Sequence, residues 1–388
     1  MMNPSIFHRV MRVLLLILPL WAAAAFAQNN QPVVRQLDAL EPSSAMDIPP
    51  PAPAAQIRTL SQGASQRVLP RVLALPALSV PVPAPALAPA PGQPLWIGMA
   101  RALPDAANAA STAGLLAWTQ AADGSQRAAI SVRATGAKGL RLGLLVEQLP
   151  PGALLRVYAP NAPETTEITA TEVLRTIQAN LNAGDNSAAA HTYWLPLVEG
   201  TEAVLEIQLP AGVSPAQLKV SLPSVSHLTM LPTEIKANTG IGASGKCNID
   251  VTCTSGNQNE MRAVARMSFV AGQGLTGYCT GTLLNNTRQD RTPYFLSANH
   301  CISTQTVAST LQTDWNFRSA SCGSLQVDSS YQRISGGATL LYTTSATATD
   351  ASFMRLNNNP PSTAMFAGWN SNTPAVNTGT PVFGLVKK

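Results

Sequence analysis

The sequence is poor in charged, aromatic and histidine residues. Of its 388 residues only 12% are charged, 5% are aromatic and four are histidines, whereas 45% are hydrophobic. So low a charge content excludes a coiled coil and a disordered acidic or basic chain, because both need many more charged residues. The net charge of +5 is not gathered into a basic stripe, so we expect no nucleic-acid partner.

Long apolar runs are scarce, and the clearest one lies near the start of the chain. Two arginines precede the apolar run 13–25, and Ala-Phe-Ala closes it. This order is typical of a secretory signal peptide, since a membrane span needs roughly 20 apolar residues. We therefore expect a signal peptide over 1–27, a secreted product (extracellular or periplasmic), and no membrane contact after cleavage.

Proline is concentrated in one stretch, with 12 prolines between Pro49 and Pro94. Proline lacks a backbone donor and fixes φ, which favours polyproline II over a packed core. The stretch predicts a semi-stiff Pro/Ala-rich spacer over 28–94. A proline-rich peptide ligand is the alternative interpretation.

Short alternating apolar segments follow over 95–231, separated by turns that contain glycine or proline. Strands of this length and spacing are typical of a β-sandwich. One helix is expected over 171–181, with Thr169 or Thr171 as its N-cap.

All five cysteines lie beyond a polar stretch over 232–246, which we interpret as a linker and processing region. In an exported protein an odd number leaves at least one thiol without an internal partner. This distribution indicates a separate disulfide-linked unit over 247–388, whose cysteines are Cys247, Cys253, Cys279, Cys301 and Cys322.

Two segments carry residues suited to catalysis. His300 follows an apolar, strand-like run and precedes Cys301, while Asp350 opens another such run about 50 residues later. A carboxylate that accepts a hydrogen bond from Nδ1 leaves Nε2 free to take a proton from a serine hydroxyl. A zinc site is the alternative for His300 and Cys301, although the sequence has no C-x-x-C pair and export favours disulfides. A surface turn is the alternative role for Asp350.

Several motifs resemble the lysyl endopeptidase branch of the bacterial trypsin-like serine proteases. The two most specific are CTGTLLNN over 279–286 and YFLSANHC over 294–301. Further matches, in the same order as in the family, are GKCNIDVTC over 245–253, WNF over 315–317 with Cys322, and FAGW over 366–369.

The resemblance implies a mainly β protein in which a β-sandwich-like pro-domain precedes a chymotrypsin-like double β-barrel. The activity it implies is that of a serine endopeptidase, which cleaves protein and peptide substrates by acyl transfer without a metal or organic cofactor. In this family pattern His300 is the general base and Asp350 its orienting carboxylate. The 95–231 pro-segment would pack in cis on the protease domain and be removed near Lys236 or Lys246.

The resemblance also implies disulfides between Cys279 and Cys301 and between Cys253 and Cys322. Cys247 would pair with a cysteine near the end of the second barrel. No later cysteine is present in the sequence, so Cys247 is expected to be unpaired.

The sequence departs from the family pattern after Trp369. None of the serines beyond Asp350, at 352, 362 and 371, lies in the glycine-rich loop that a serine nucleophile needs. We therefore expect 247–388 to contain the first barrel, to lack the nucleophile and specificity pocket, and to be inactive. The alternative function for the protein is that of a non-catalytic pseudo-protease that binds a ligand. The alternative for 95–231 is a binding domain that is retained in the mature protein.

Overall fold

The computed structural model describes residues 67–78, 94–231 and 249–369, except 255, 257, 273, 325 and 346, together with 41–42, 57–61, 378 and 384–385. The predicted signal peptide (1–27), the processing region (232–246) and Cys247 lie outside these residues. Among the residues described, no helix is long and apolar enough to cross a membrane.

The N-terminal half of the chain is mainly β, as predicted. Its helices are α1 (Ala109–Leu115) and α2 (Ala170–Asn182), with 3-10 turns at Pro104–Ala106 and Pro215–Gln217. Its strands are β1 (Glu41–Pro42), β2 (Ile57–Ser61), β3 (Arg71–Leu75), β4 (Leu95–Ala102), β5 (Thr119–Gln120), β6 (Gln126–Ala134), β7 (Gly139–Gln148), β8 (Leu154–Tyr158), β9 (Glu164–Thr169), β10 (Thr192–Trp194), β11 (Val198–Glu199), β12 (Glu202–Leu209) and β13 (Lys219–Leu228).

Two sheets contribute to the core of this half. One has the order β2-β9-β8-β12-β6-β3, with β5 also paired to β6, and the other contains β10-β7-β13-β4, with β11 beside β7. Side chains from both belong to one buried hydrophobic cluster, including Ile130 and Leu205 from the first sheet and Leu142 and Val225 from the second. Removal of this apolar surface from water is the main source of stability for such a layered arrangement.

Three strands lie inside the range predicted as a spacer, namely the two-residue β1 and the longer β2 and β3. β2 pairs with β9, and β3 runs parallel to β6 from Arg71 opposite Ile130 to Leu75 opposite Ala134. Neither β2 nor β3 contains a proline, so every residue of these two strands keeps the N–H group that a ladder needs. The sheet therefore begins upstream of the boundary predicted at residue 95.

The predicted helix is present and slightly longer than expected. α2 begins after Thr169, whose hydroxyl accepts a hydrogen bond from the Glu172 backbone N–H at 3.2 Å. This N-cap satisfies one of the donors that a helix start leaves free. The prediction of a helix with Thr169 as a possible N-cap is confirmed.

The C-terminal half is also mainly β. Its helices are α3 (Glu260–Ala263) and α4 (Gln305–Ala308), with a 3-10 turn at Val251–Cys253. Its strands are β14 (Val264–Ala271), β15 (Leu275–Leu284), β16 (Tyr294–Ser297), β17 (Gln312–Trp315), β18 (Gln332–Ile334), β19 (Ala338–Thr343), β20 (Ser352–Leu356) and β21 (Met365–Phe366).

The strands of this half pair in the order β18-β17-β14-β15-β16-β20-β19, and β21 pairs with β1. The strands at the two ends of this order, β18 and β19, do not pair with each other. They follow each other in the chain and are connected by residues 335–337. Among the strands described there is thus no closed barrel. The core beneath them includes Phe269, Phe295, Trp315 and Met354.

One sheet runs through both halves of the molecule, because β4 pairs with β13 on one side and with β15 on the other. This sheet has twelve strands, and β7 is an interior strand because it lies between β10 and β13. Buried and exposed residues do not alternate along β7 as they would in a half-exposed strand, and Arg141 of β7 is only 2% exposed. Its Nη2 donates to the Thr310 carbonyl at 3.0 Å, so the C-terminal half covers this part of the sheet.

Candidate active site

Strand register brings His300 and Asp350 together. β16 and β20 are antiparallel, with Ser297 at the end of β16 opposite Ser352 at the start of β20. His300 lies three residues beyond the first strand and Asp350 two residues before the second. Because the end of one antiparallel strand lies beside the start of its partner, both residues emerge at the same edge.

The Asp350 carboxylate holds both the ring and the backbone of His300. Its Oδ2 lies 2.6 Å from His300 Nδ1, and its Oδ1 accepts from the His300 backbone N–H at 2.9 Å. The Asn299 N–H donates to the Asp350 carbonyl at 3.2 Å. Asp350 has a φ of +46°, a left-handed conformation that aspartate tolerates better than most residues. Together these contacts fix the direction of the imidazole.

The electrostatics favour one tautomer of the histidine. Hydrogen bonds from the His300 ring and then from its backbone N–H hold the pKa of Asp350 below its usual value. An ionised carboxylate can only accept, so Nδ1 carries the proton and Nε2 the lone pair. The two side chains are 22% and 30% exposed, and Nε2 has no hydrogen-bond partner within the described part of the chain.

A disulfide lies directly beside the histidine. Cys279 of β15 is bonded to Cys301, and the Cα atoms are 6.3 Å apart. Cys301 is buried in the C-terminal core, so the bridge ties the His300 turn to β15. The second disulfide joins Cys253 to Cys322. Both pairs are those that the family resemblance implies.

The zinc alternative does not fit this geometry. The ligand atoms of Cys279, His300 and Cys301 do lie within 4.8 Å of one another. However, the two sulfurs are bonded to each other, and a metal needs thiolates. The group therefore offers a single free ligand, the imidazole.

Two supporting residues were not predicted from the sequence. Thr343 accepts a hydrogen bond from Asn299 Nδ2 at 2.8 Å and donates to the Ala351 carbonyl at 3.1 Å, so it links the loops that carry the dyad. Asn299 belongs to the motif YFLSANHC, so the sequence could have indicated that it lies close to the site. Thr343 stands in a run of small polar residues without a motif and gives no such signal.

No hydrogen bond joins the described serines beyond Asp350 to the histidine. Ser352 is fully buried, its hydroxyl donates to the Ile302 carbonyl, and its Oγ lies 3.1 Å from Thr343 Oγ1. Ser362 is exposed beside β21 and forms no hydrogen bond with His300. Ser371 lies outside the described residues.

The fold and this site define a class of disulfide-linked, mainly β proteins with a histidine–carboxylate pair at the end of two neighbouring strands. Residues 74–229 match the family model described as the lysyl endopeptidase N-terminal domain, and residues 241–385 match the lysyl endopeptidase C-terminal domain. The two halves of the chain are thus similar to the two domains described for lysyl endopeptidases. The N-terminal match begins within β3, in agreement with the sheet starting ahead of residue 95.

A lysyl endopeptidase of Pseudomonas aeruginosa is 32% identical to the chain over 303 residues. The alignment covers 75% of this chain and 61% of that relative, so the chain spans less than two thirds of its length. No solved structure matches the chain.

Proposed function

We propose that the chain belongs to the precursor of a secreted serine endopeptidase of the lysyl endopeptidase type, with His300 as general base and Asp350 as its orienting carboxylate. The observation that carries the proposal is the 2.6 Å contact between Nδ1 and Oδ2, reinforced by the backbone hydrogen bond to Oδ1. A carboxylate held on both the ring and the backbone fixes the tautomer that base catalysis needs.

The chemistry proposed is acyl transfer on protein and peptide substrates. As a serine hydroxyl attacks the peptide carbonyl, His300 Nε2 takes its proton and later returns it to the leaving amine. Asp350 stabilises the imidazolium in between. None of the serines at 352, 362 and 371 has the surroundings of a nucleophile, so we propose that residues 28–388 by themselves form no acyl-enzyme.

The two halves fit a pro-domain and a first barrel. β18 and β19 can be taken as two parts of one strand bent at Gly336 and Gly337, both of which have positive φ. Joined in this way, the strands of the C-terminal half would form the closed ring of a first chymotrypsin-like barrel. The N-terminal half, with two sheets around one core, would be a sandwich-like pro-segment that packs on it in cis.

Secretion is supported by two independent features. The N-terminal sequence has the form of a signal peptide. The structure contains two disulfides, which persist in extracellular and periplasmic compartments and are rare in the cytosol.

A first experiment tests the nucleophile. Residues 28–388, produced with both disulfides formed, are treated with a fluorophosphonate probe and analysed by mass spectrometry. We expect no labelled serine. Covalent labelling of any serine in this polypeptide would overturn that part of the proposal.

A second experiment tests the base. The full-length secreted protein, which under this proposal also supplies the serine nucleophile, is assayed on a peptide library, and we expect cleavage on the carboxyl side of lysine. His300→Ala should abolish cleavage, whereas His191→Ala, which alters a histidine of the N-terminal half, should leave it unchanged. Undiminished cleavage by His300→Ala would refute the assignment.

A further inference from the structure

A buried arginine lies between the two halves of the molecule with one nitrogen unsatisfied. Arg141 is 2% exposed, and its Nε and Nη2 donate to the carbonyls of Leu195 and Thr310 at 3.2 and 3.0 Å. Its Nη1 is buried and has no hydrogen-bond partner. A buried charged donor without a partner is costly, which makes this nitrogen a candidate for binding a ligand.

The surrounding charges do not balance. Arg266 and Arg333 both pair with the fully buried Asp314, at 2.9 Å each. The remaining nearby carboxylate, Glu199, is 40% exposed and lies 3.7 Å from Arg333. No described carboxylate lies within salt-bridge distance of Arg141, so this region carries an excess positive charge.

Burial adds to the demand for a counter-ion. Desolvation, and then repulsion from Arg333, lower the pKa of Arg141 to about 9, so the guanidinium remains charged at neutral pH. Burial of an unpaired ion is strongly unfavourable, and a bound anion would offset much of that cost.

A small cavity adjoins Arg141. It is lined from the N-terminal half by Arg141, Tyr193 and Trp194 and from the C-terminal half by Ser309, Gln312 and Ser335. It has room for about one water molecule or one monatomic ion. Sulfate and phosphate are too large for this space.

We propose that Arg141 binds a monovalent, halide-sized anion in this cavity, with chloride as its natural occupant. The anion would accept a hydrogen bond from Nη1 and neutralise the local excess charge. Because residues of both halves line the cavity, the anion would bind only when the halves are docked. Chloride would therefore stabilise the assembled molecule.

Bromide provides a direct test on the unmodified protein. Crystals of residues 28–388 are soaked in sodium bromide, and anomalous diffraction is measured at the bromine edge. We expect an anomalous peak within hydrogen-bond distance of Arg141 Nη1. A water molecule at this position, with no anomalous signal, would overturn the proposal.

Halide-dependent stability gives a second, independent readout. The thermal midpoint is measured in sodium chloride and in sodium gluconate at equal ionic strength. Above the dissociation constant, each tenfold rise in chloride should raise the folding equilibrium constant about tenfold for the wild type. Arg141→Met should lose this dependence, whereas Arg133→Met, which alters a 55% exposed arginine paired with Glu202, should keep it. Equal chloride dependence in both variants would count against the site.

Discussion

At the scale of single residues, Asp350 controls the chemistry available to His300. Its two oxygens bind the ring Nδ1 and the backbone N–H of the same residue. The ring therefore cannot rotate without breaking a hydrogen bond to an ionised acceptor, a class of bond stronger than its neutral counterpart. Under the proposed function the carboxylate is the orienting group and Nε2 the reactive atom.

Replacement of this carboxylate by an amide should reverse the tautomer. In Asp350→Asn the new NH₂ group can donate to Nδ1, which would place the proton on Nε2 and remove the base. We expect ¹⁵N NMR of the wild type to show a protonated Nδ1 and of the variant a protonated Nε2. If the proposed function holds, kcat of the full-length protein should fall by about 10⁴, as for the equivalent change in chymotrypsin-like proteases. A protonated Nδ1 in the variant would show that the carboxylate does not set the tautomer.

The same pair gives the direction of a pH effect. The pKa of Asp350 is lowered in the folded protein, so its contribution to stability is fully present above the ordinary aspartate pKa of about 3.9. That contribution is lost as the pH falls through the lower, folded pKa. Unfolding titrations from pH 6 to pH 2 should therefore show a smaller loss of stability for Asp350→Asn than for the wild type.

How much of the site could be predicted depends on whether its residues carry a motif. His300, Asp350 and the two disulfide pairs were identified from the sequence because they occur in recognisable segments. Gly281, in the CTGT segment, is explained only by the structure: a Cβ there would lie 2.2 Å from a ring carbon of Phe295. Arg141 has no sequence signal, because its burial results from contacts between residues about 170 positions apart.

At the scale of elements, the strands that were missed are short and lie among prolines. β3 has five residues and no proline, but the surrounding composition favoured polyproline II over a strand. Its pairing is parallel and with β6, which starts 51 residues after β3 ends, and such a long-range partner is invisible to a local pattern. By contrast, α2 was predicted well, because its cap and periodicity are local.

The two disulfides should differ in function although both stabilise the fold. From loop lengths of 22 and 69 residues, loss of Cys279–Cys301 should cost about 3 kcal/mol and loss of Cys253–Cys322 about 4 kcal/mol. Only the first bridge adjoins His300. We expect paired Cys→Ser variants to be destabilised in urea to these extents, with the His300 NMR signals changed only when 279 and 301 are replaced. Equal perturbation of His300 by both variants would contradict this assignment of roles.

At the scale of the whole molecule, the two halves are joined by more than the chain between them. β4 pairs with β15 at Thr276, Gly277 and Tyr278, just before the cysteine that anchors the His300 turn. Side-chain hydrogen bonds add to this sheet, among them Ser226 to Thr276 at 2.7 Å. Sheet continuity and buried polar contacts are features of a stable interface. We therefore expect the two halves to stay associated whether or not the linker over 232–246 is intact.

The halves should accordingly stay together after the linker is cut. Brief digestion of residues 28–388 with a lysine-specific protease, directed at Lys236 or Lys246, should give two fragments that co-elute in size-exclusion chromatography. Gly98→Ala should weaken their association about tenfold or more, since a Cβ on Gly98 would lie 2.7 Å from Ser226 Oγ and 3.0 Å from Thr276 Cβ. Gly114→Ala, at a helix position where the new Cβ has no atom within 4 Å apart from neighbouring residues and the helix's own backbone, is the matched control. Separation of the wild-type fragments, or equal affinity in the two variants, would show that β4 does not hold the halves together.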